Sequence, residues 1–455
     1  MIGMRKILMM LLLSFTCWGV TRAQDTLAVV SGRVEGKNPV MLVIQRQMGM
    51  SQRLLEAKVQ GDYRESLTVK EPMIVSLSLG RQTVSNTVFL TPGAKLEVDF
   101  SREDKFGGTH AGINNLLSRL FTDEYQPKTS GLKEYSRGYA EALVRAYQGR
   151  VEQVEASGLL PEEQKVVQGI AQYQLLRDMY MMIDLSKAFG KAFAAPEVDT
   201  DYSDPLLNID WLPELVFAGD WFPVFQEWLF AQVQTGKIKI GSRESYLNDM
   251  AAAIKNEELR EAYLLGALWR EVLRGNVKDF GERLKKATEI VKSKDGKEQL
   301  KAYAERLAES TYPAMEGVDL SDYGFPNEKG DTVYLSDFKG RYVFIDLWST
   351  GCNPCVAEIA YVKRLEQRLA SLPLAWVSIS LDSNADTWRA FMKQKGMTGV
   401  QLLCTRSRKH PFMQRMAVNG IPRFIILDPD GKVWDASSRR PSDPVLGELL
   451  QKELK

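Results

Sequence analysis

The chain has 455 residues, 44% of them hydrophobic and 26% charged, with 59 basic against 58 acidic side chains. That length allows roughly three domains, and the composition is that of an ordinary globular protein. The balanced charge gives no reason to expect nucleic acid or an anionic membrane surface as partner, and of the four cysteines the three beyond residue 23 (Cys352, Cys355 and Cys404) are not a disulfide scaffold in a chain this long.

Residues 1–23 read as a secretory signal. Arg5 and Lys6 form a positive start, Ile7 to Phe15 is an apolar run too short to span a bilayer, and Thr21-Arg22-Ala23 offers small residues for cleavage. Cleavage there removes Cys17 and leaves 56 basic against 58 acidic residues, a net charge of −2. The expected location is the periplasm. A lipid anchor on Cys17 is not expected, because Ser14-Phe15-Thr16 does not supply the Leu-x-(Gly/Ala/Ser) context such signals need.

Residues 24–105 are expected to form a β-sandwich-like domain. Leu27 to Val34, Val40 to Gln45, Arg64 to Val69, Met73 to Leu79, Thr87 to Leu90 and Lys95 to Phe100 alternate apolar with polar residues, between turn signals such as Thr91-Pro92-Gly93. Nothing in this stretch has catalytic spacing, which suits packing or docking. From 106 to 312 the pattern turns helical, with helices expected near 112–124, 131–156, 161–189, 221–235, 243–256, 257–274, 277–293 and 296–310. No fixed repeat period runs through them. An aromatic run (Trp211, Phe217, Trp221, Phe222, Phe225, Trp228, Phe230) reads as core packing or as an exposed docking groove. His110 has no Cys or His near it and reads as a loop residue.

Residues 313–455 read as an α/β domain. A strand at 342–348 leads into a helix reaching about Leu369. Strands follow at 375–381 and 400–404, helices at 386–395 and 411–417, a hairpin at 423–434 and a closing helix from Val445. The first strand runs directly into Cys352-Asn353-Pro354-Cys355. A Cys-x-x-Cys pair at a strand-to-helix junction is the arrangement of a redox dithiol, because unpaired helix amides stabilise a thiolate there. Cys352 is the expected nucleophile and Cys355, one turn on, the resolving thiol. Pro354 removes a donor in the first turn, where it costs little.

Two acids accompany the pair. Asp346 lies within the apolar strand, either as a satisfied buried carboxylate or as proton acceptor for Cys355. Glu358 is either an ordinary exposed helix acid or a sharer of that task. Gly420-Ile421-Pro422 precedes the penultimate strand, and a cis Ile421–Pro422 bond would present the Ile421 backbone to an extended substrate.

With those residues in hand, 319–455 resembles the thioredoxin superfamily, specifically the exported TlpA/ResA-type thiol–disulfide oxidoreductases of bacteria. The likeness runs through Gly330, Leu335 to Gly340, Asp346-Leu347-Trp348, the Cys pair with Glu358, Gly420-Ile421-Pro422 and Asp428 to Gly431. It implies catalytic roles for Cys352, Cys355, Asp346 and Glu358, and substrate contact by Trp348, Ile421 and Pro422. It implies no cofactor and no metal. The implied partners are disulfide-bonded or thiol-containing periplasmic proteins and a membrane thiol donor, and the oligomeric state stays open. Residues 27–100 look like the β domain that often precedes such modules in Bacteroidetes-like proteins. Gly351 and Asn353 depart from the family's usual Trp and Gly, Pro or Glu, at positions that set redox potential. Potentials of such proteins span about 150 mV, roughly 7 kcal/mol for two electrons. The family likeness leans toward reduction of clients.

Three other readings compete with this one. A peroxidase needs Pro-x-x-x-(Thr/Ser)-x-x-Cys, but Ile345 stands where its proline would be. A zinc site from Cys352, Cys355, Cys404 and His410 has a poor second half in Cys-x5-His. A scaffold protein would use the thioredoxin-like module for docking only. Cys404 itself reads as a buried strand thiol or a third redox partner.

Overall fold

The computed structural model describes residues 27–35, 38–46, 52–80, 82–99, 101–121, 126–189, 196–218, 221–274, 278–308, 315–405 and 409–454. The signal-like stretch 1–23, with Cys17, lies outside them. The protein is multidomain, with N-terminal β-sheets, a helical middle and a C-terminal mixed α/β domain. It divides into two compact units, one of residues 1–181, 198–228 and 255–259, the other of residues 182–197, 229–254 and 260–455.

The first unit opens with eight strands, β1 (Leu27–Val34), β2 (Val40–Arg46), β3 (Gln52–Val59), β4 (Gly61–Thr68), β5 (Met73–Leu79), β6 (Gln82–Leu90), β7 (Lys95–Val98) and β8 (Phe106–Gly108). They form two four-stranded sheets, in the orders β4-β1-β7-β8 and β3-β2-β5-β6. Alternation puts Ala28, Val30, Leu67, Leu96 and Val98 of one sheet in a common core with Leu42, Ile44, Val75 and Leu77 of the other. Each such buried Val, Leu or Ile side chain contributes about 1.5–3 kcal/mol.

Helix α1 (Ala111–Leu120) is tied to this β region by two asparagines. Asn114 accepts from the Phe89 amide at 2.7 Å and donates to its carbonyl at 3.2 Å, while Asn115 does the same for Phe106 at 2.9 and 2.8 Å. Helices α2 (Arg137–Glu155) and α3 (Pro161–Phe189, in this unit to Met181) follow, then α4 (Trp221–Gln234, in this unit to Trp228). The aromatic run is largely core here: the Trp211 ring lies 5.8 Å from Phe225 and 5.3 Å from Trp228, all three buried. His110 stands at the N-cap position of α1 with φ of 59°, and its ring Nε2 sits 3.1 Å from Thr91 Oγ1 instead of capping the helix.

The second unit joins helices α5 (Tyr246–Ala251), α6 (Glu257–Arg274, from Arg260 on), α7 (Phe280–Ile290) and α8 (Lys294–Ala308) to the α/β domain. That domain begins with a small hairpin, β9 (Gly324–Pro326) and β10 (Thr332–Tyr334). Its main elements are β11 (Tyr342–Trp348), α9 (Asn353–Arg368), β12 (Leu374–Ser380), α10 (Ala385–Lys395), β13 (Val400–Leu403), α11 (Pro411–Arg415), β14 (Arg423–Leu427), β15 (Val433–Asp435) and α12 (Pro444–Glu453). The sheet order is β13-β12-β11-β14-β15, with β11 parallel to β12 and antiparallel to β14.

Strand β11 is central and buried on both faces, and its period of two sorts its residues. Val343, Ile345 and Leu347 join the core with Val377, Ile379, Ile425, Phe412 and Met413. On the other face Phe344 packs with Leu365, Leu446 and Leu450, and Trp348 with Cys355 and Ile359. Asp346, between Phe344 and Trp348, therefore belongs to the face that α9 covers. Among the described residues, no helix is long and apolar enough to cross a membrane.

Candidate active site

The Cys pair sits where β11 hands over to α9. Cys352 is the N-cap residue, with extended backbone, and its Sγ accepts from the Cys355 amide at 3.2 Å. The two sulfurs are bonded to each other. Cys352 is partly exposed and Cys355 fully buried, so only the first sulfur is open to solvent.

The turn before Cys352 is braced by a residue that sequence reading did not single out. Asp382, just beyond β12, accepts from the Thr350 hydroxyl at 2.8 Å and from the Thr350 amide at 3.1 Å, and from the Ser380 hydroxyl at 2.7 Å. The Cys352 amide donates to Ser349 O at 3.1 Å, closing the turn. A short polar residue after an apolar strand was the only sequence signal for Asp382.

Both acids lie on the side of the sheet that α9 covers, Glu358 on that helix one turn after Cys355. Asp346 is 3% exposed and its Oδ1 has no hydrogen-bond partner. Burial, and then the nearby Glu358 carboxylate, push its pKa up to about 8. Glu358 is 1% exposed, so it is not a surface helix acid. It accepts from the Ser442 amide and hydroxyl, each at 2.8 Å, and faces Arg440 at 3.9 Å. Burial raises its pKa, while Arg440, the Ser442 bonds and Lys187 pull the other way. Two neighbouring carboxyls thus differ in circumstance: one is hydrogen-bonded and faced by cations, the other is stripped of partners.

Pro422 follows a cis bond from Ile421. Because β14 starts at Arg423 opposite Leu347, this bond falls beside the end of β11 where α9 begins. Ile421 packs into the cluster that holds Cys352, Cys355 and Trp348. Trp348, expected to touch substrate, is 0% exposed and stacks near Phe391 at 5.7 Å, so it floors the pair and leaves the surface to Ile421 and Pro422. The reason is period two again: Trp348 points under α9, as Asp346 does.

Cys404 is buried in the core on the opposite face of the sheet from the pair. His410 caps α11, its Nδ1 accepting from the Phe412 amide at 3.2 Å, and its ring stacks 4.8 Å from Phe325. Neither joins the Cys pair, and among the described residues no group of three or more His, Cys, Asp or Glu is arranged to hold a metal.

A central-strand Cys-x-x-Cys helix, in a sheet of this order with a proline turn beside it, defines the thioredoxin-superfamily class. The Redoxin family profile matches residues 308–445. Thiol-disulfide oxidoreductase ResA of Bacillus subtilis is 27% identical over 118 residues, which cover 26% of this chain and 64% of that protein. ResA of Bacillus thuringiensis is 24% identical over 136 residues, covering 30% of this chain and 77% of that one. The thioredoxin domain of a Bacteroides vulgatus thiol-disulfide oxidoreductase is 25% identical, spanning 31% of this chain and 98% of its own, at a TM-score of 0.28. The chain thus spans just under two thirds of the B. subtilis relative's length. Its C-terminal part is a Redoxin domain of TlpA/ResA type.

Proposed function

We propose that the chain is an exported thiol–disulfide oxidoreductase that exchanges disulfides with protein clients in the periplasm, chiefly as a reductant. The observation that carries the reading is the Cys352–Cys355 pair at the start of α9, with Cys352 partly open to solvent, and the buried Asp346 carboxyl, unpartnered at Oδ1, on the sheet face that α9 covers.

The steps follow from that geometry. Reduced Cys352, as thiolate, attacks a client disulfide held in extended form along Ile421 and Pro422, and one client sulfur leaves as a thiolate. Cys355 then loses its proton and attacks Sγ of Cys352. The second client sulfur departs and takes up a proton, two electrons have passed to the client, and the Cys352–Cys355 bond closes. A thiol donor, membrane-held by family likeness, reopens it. Asp346 suits the proton transfer, since a carboxyl near pKa 8 is matched to a thiol of ordinary pKa about 8.5. Hydrolytic or hydride chemistry is not called upon.

Cys355→Ser in the full chain will trap covalent mixed disulfides through Cys352 with exported proteins, readable as dithiothreitol-sensitive adducts by mass spectrometry. Absence of adducts, with Cys352→Ser behaving the same, would leave a docking scaffold as the better reading. The same adducts would name the clients and the donor.

A further inference from the structure

Between β15 and α12, residues 436–443 form a strap that grips two things alternately. Arg439, nearly buried, lies over the Tyr246 ring at 4.1 Å, pairs with Glu271 at 3.6 Å and reaches Asp443 at 3.1 Å. Tyr246 and Glu271 belong to the helical part of this unit, on α5 and α6. The next residue, Arg440, turns the other way to face Glu358, and Ser442 gives Glu358 both its amide and its hydroxyl. The strap's start is pinned as well: Asp435, the last residue of β15, is paired with Arg243 of the helical part at 2.9 Å. Glu271 is itself fixed by Arg283 at 2.8 Å, both of them buried. The helical segment is therefore linked, through one loop, to the acid one turn after Cys355.

Resting on the oxidoreductase reading above, we propose that this strap is a positioning device: the grip of Tyr246 and Glu271 on Arg439 holds Arg440 and Ser442 against Glu358, and the helical segment thereby governs proton handling at Cys355. The groups facing Glu358 are Arg440 and Ser442 on the strap, Lys187 from α3, and Asp346 across from it on β11. Arg440, Ser442 and Lys187 favour charge on Glu358, and that charge drives the proton onto Asp346. If the strap loosens, Glu358 takes up a proton, its push on Asp346 vanishes, and Asp346 gives up its proton at lower pH. Arg439, Tyr246 and Glu271 touch no reacting atom, so they are positioning residues.

The test uses the reduced full chain and dithionitrobenzoate, following the release of thionitrobenzoate from the Cys352 adduct by Cys355 as a function of pH. Arg439→Gln should move the midpoint of that profile down by about half a unit, less than the 1–3 units of a direct charge contact because the effect is relayed. Arg440→Gln should move it further the same way, and neither should add to the shift of Glu358→Gln. Arg439→Lys keeps the charge toward Glu271 and should restore most of the profile. A wild-type profile in folded Arg439→Gln, or a shift undiminished in the Glu358→Gln background, overturns the proposal. Should Arg439→Gln not fold, Tyr246→Leu carries the same expectation and the same refutation. Failure of the wild type to form any Cys352 adduct would instead refute the oxidoreductase reading.

Discussion

Arg243 and Asp346 are equally buried, each 3% exposed, yet they are treated oppositely. Arg243 meets Asp435 at 2.9 Å and Glu453 at 3.1 Å, with the Trp434 ring 4.5 Å away. Asp346 is offered no hydrogen bond at Oδ1 and has a second acid for a neighbour. Removing a charge from water costs several kcal/mol unless partners replace the water. Where the helical segment docks, the fold supplies partners and the charge persists. At the site it withholds them, and the carboxyl keeps its proton until about pH 8. The first arrangement keeps a buried charge, and the second keeps a buried proton.

The sharpest way to break this contrast is to give Arg243 the isolation of Asp346. Asp435→Ala removes the fully buried partner and leaves Glu453 and, at 3.7 Å, Asp279, both partly exposed. Leaving a buried charge uncompensated costs about 3–5 kcal/mol, and the two remaining partners put the expectation near the lower end. Urea unfolding should show the midpoint falling at unchanged slope, with the Cys352 adduct still forming in the folded protein. A loss under about 1 kcal/mol, the range of an exposed pair such as Arg53–Glu56, would mean that the pairing is not structural.

The converse is to remove the charge problem from Asp346. Its folded pKa, about 8, lies above the ordinary value of 3.8. Between those values the folded state binds a proton that the unfolded chain releases, so stability falls as pH rises through that window and is fully present below it. Asp346→Asn escapes the penalty. It should be more stable than the parent at pH 7 by on the order of 2 kcal/mol, about half of what linkage allows, since a buried amide has a desolvation cost of its own. The gain should disappear below pH 4. Resolution by Cys355 should meanwhile slow and lose the part of its pH dependence centred near 8. A variant that gains no stability at pH 7, or resolves with wild-type kinetics, would show that Asp346 does not hold this proton.

How much of this could be read in advance depended on distance along the chain. Strands with clean alternation or continuous burial, such as Leu27–Val34 and Tyr342–Trp348, and long periodic helices such as Pro161–Phe189 and Glu257–Arg274, have the ends their patterns predict. β3 was missed because Gln52-Arg53-Leu54-Leu55-Glu56-Ala57-Lys58-Val59 is written in helix formers. It is a strand by pairing with β2 at a sheet edge, a tertiary choice that overrides propensity. The three-residue hairpin β9–β10 is too short to show a period. At the site, the Cys pair, both acids and Pro422 were visible from type and spacing. Their environment was not. Ser442 reaches Glu358 from 84 residues away, and Arg439 owes its place to an aromatic ring and an acid on two other helices. Local pattern carries no trace of such partners.

The smallest effect concerns the turn rather than the acids. Thr350→Val keeps shape and backbone but deletes the hydroxyl that Asp382 accepts, leaving the Thr350 amide and Ser380 hydroxyl as its donors. A hydrogen bond to a charged acceptor is worth about 1.5–3 kcal/mol, and with two donors retained the expected loss is about 1 kcal/mol. Asp382 is partly exposed, so water can replace the hydroxyl, unlike anything near Asp346. The adduct yield at Cys352 should therefore be unchanged while its rate of formation drops a few-fold, because the turn that presents Cys352 is less firmly held. A rate and a stability both equal to wild type would show that the Cys352 amide bond to Ser349 holds the turn by itself.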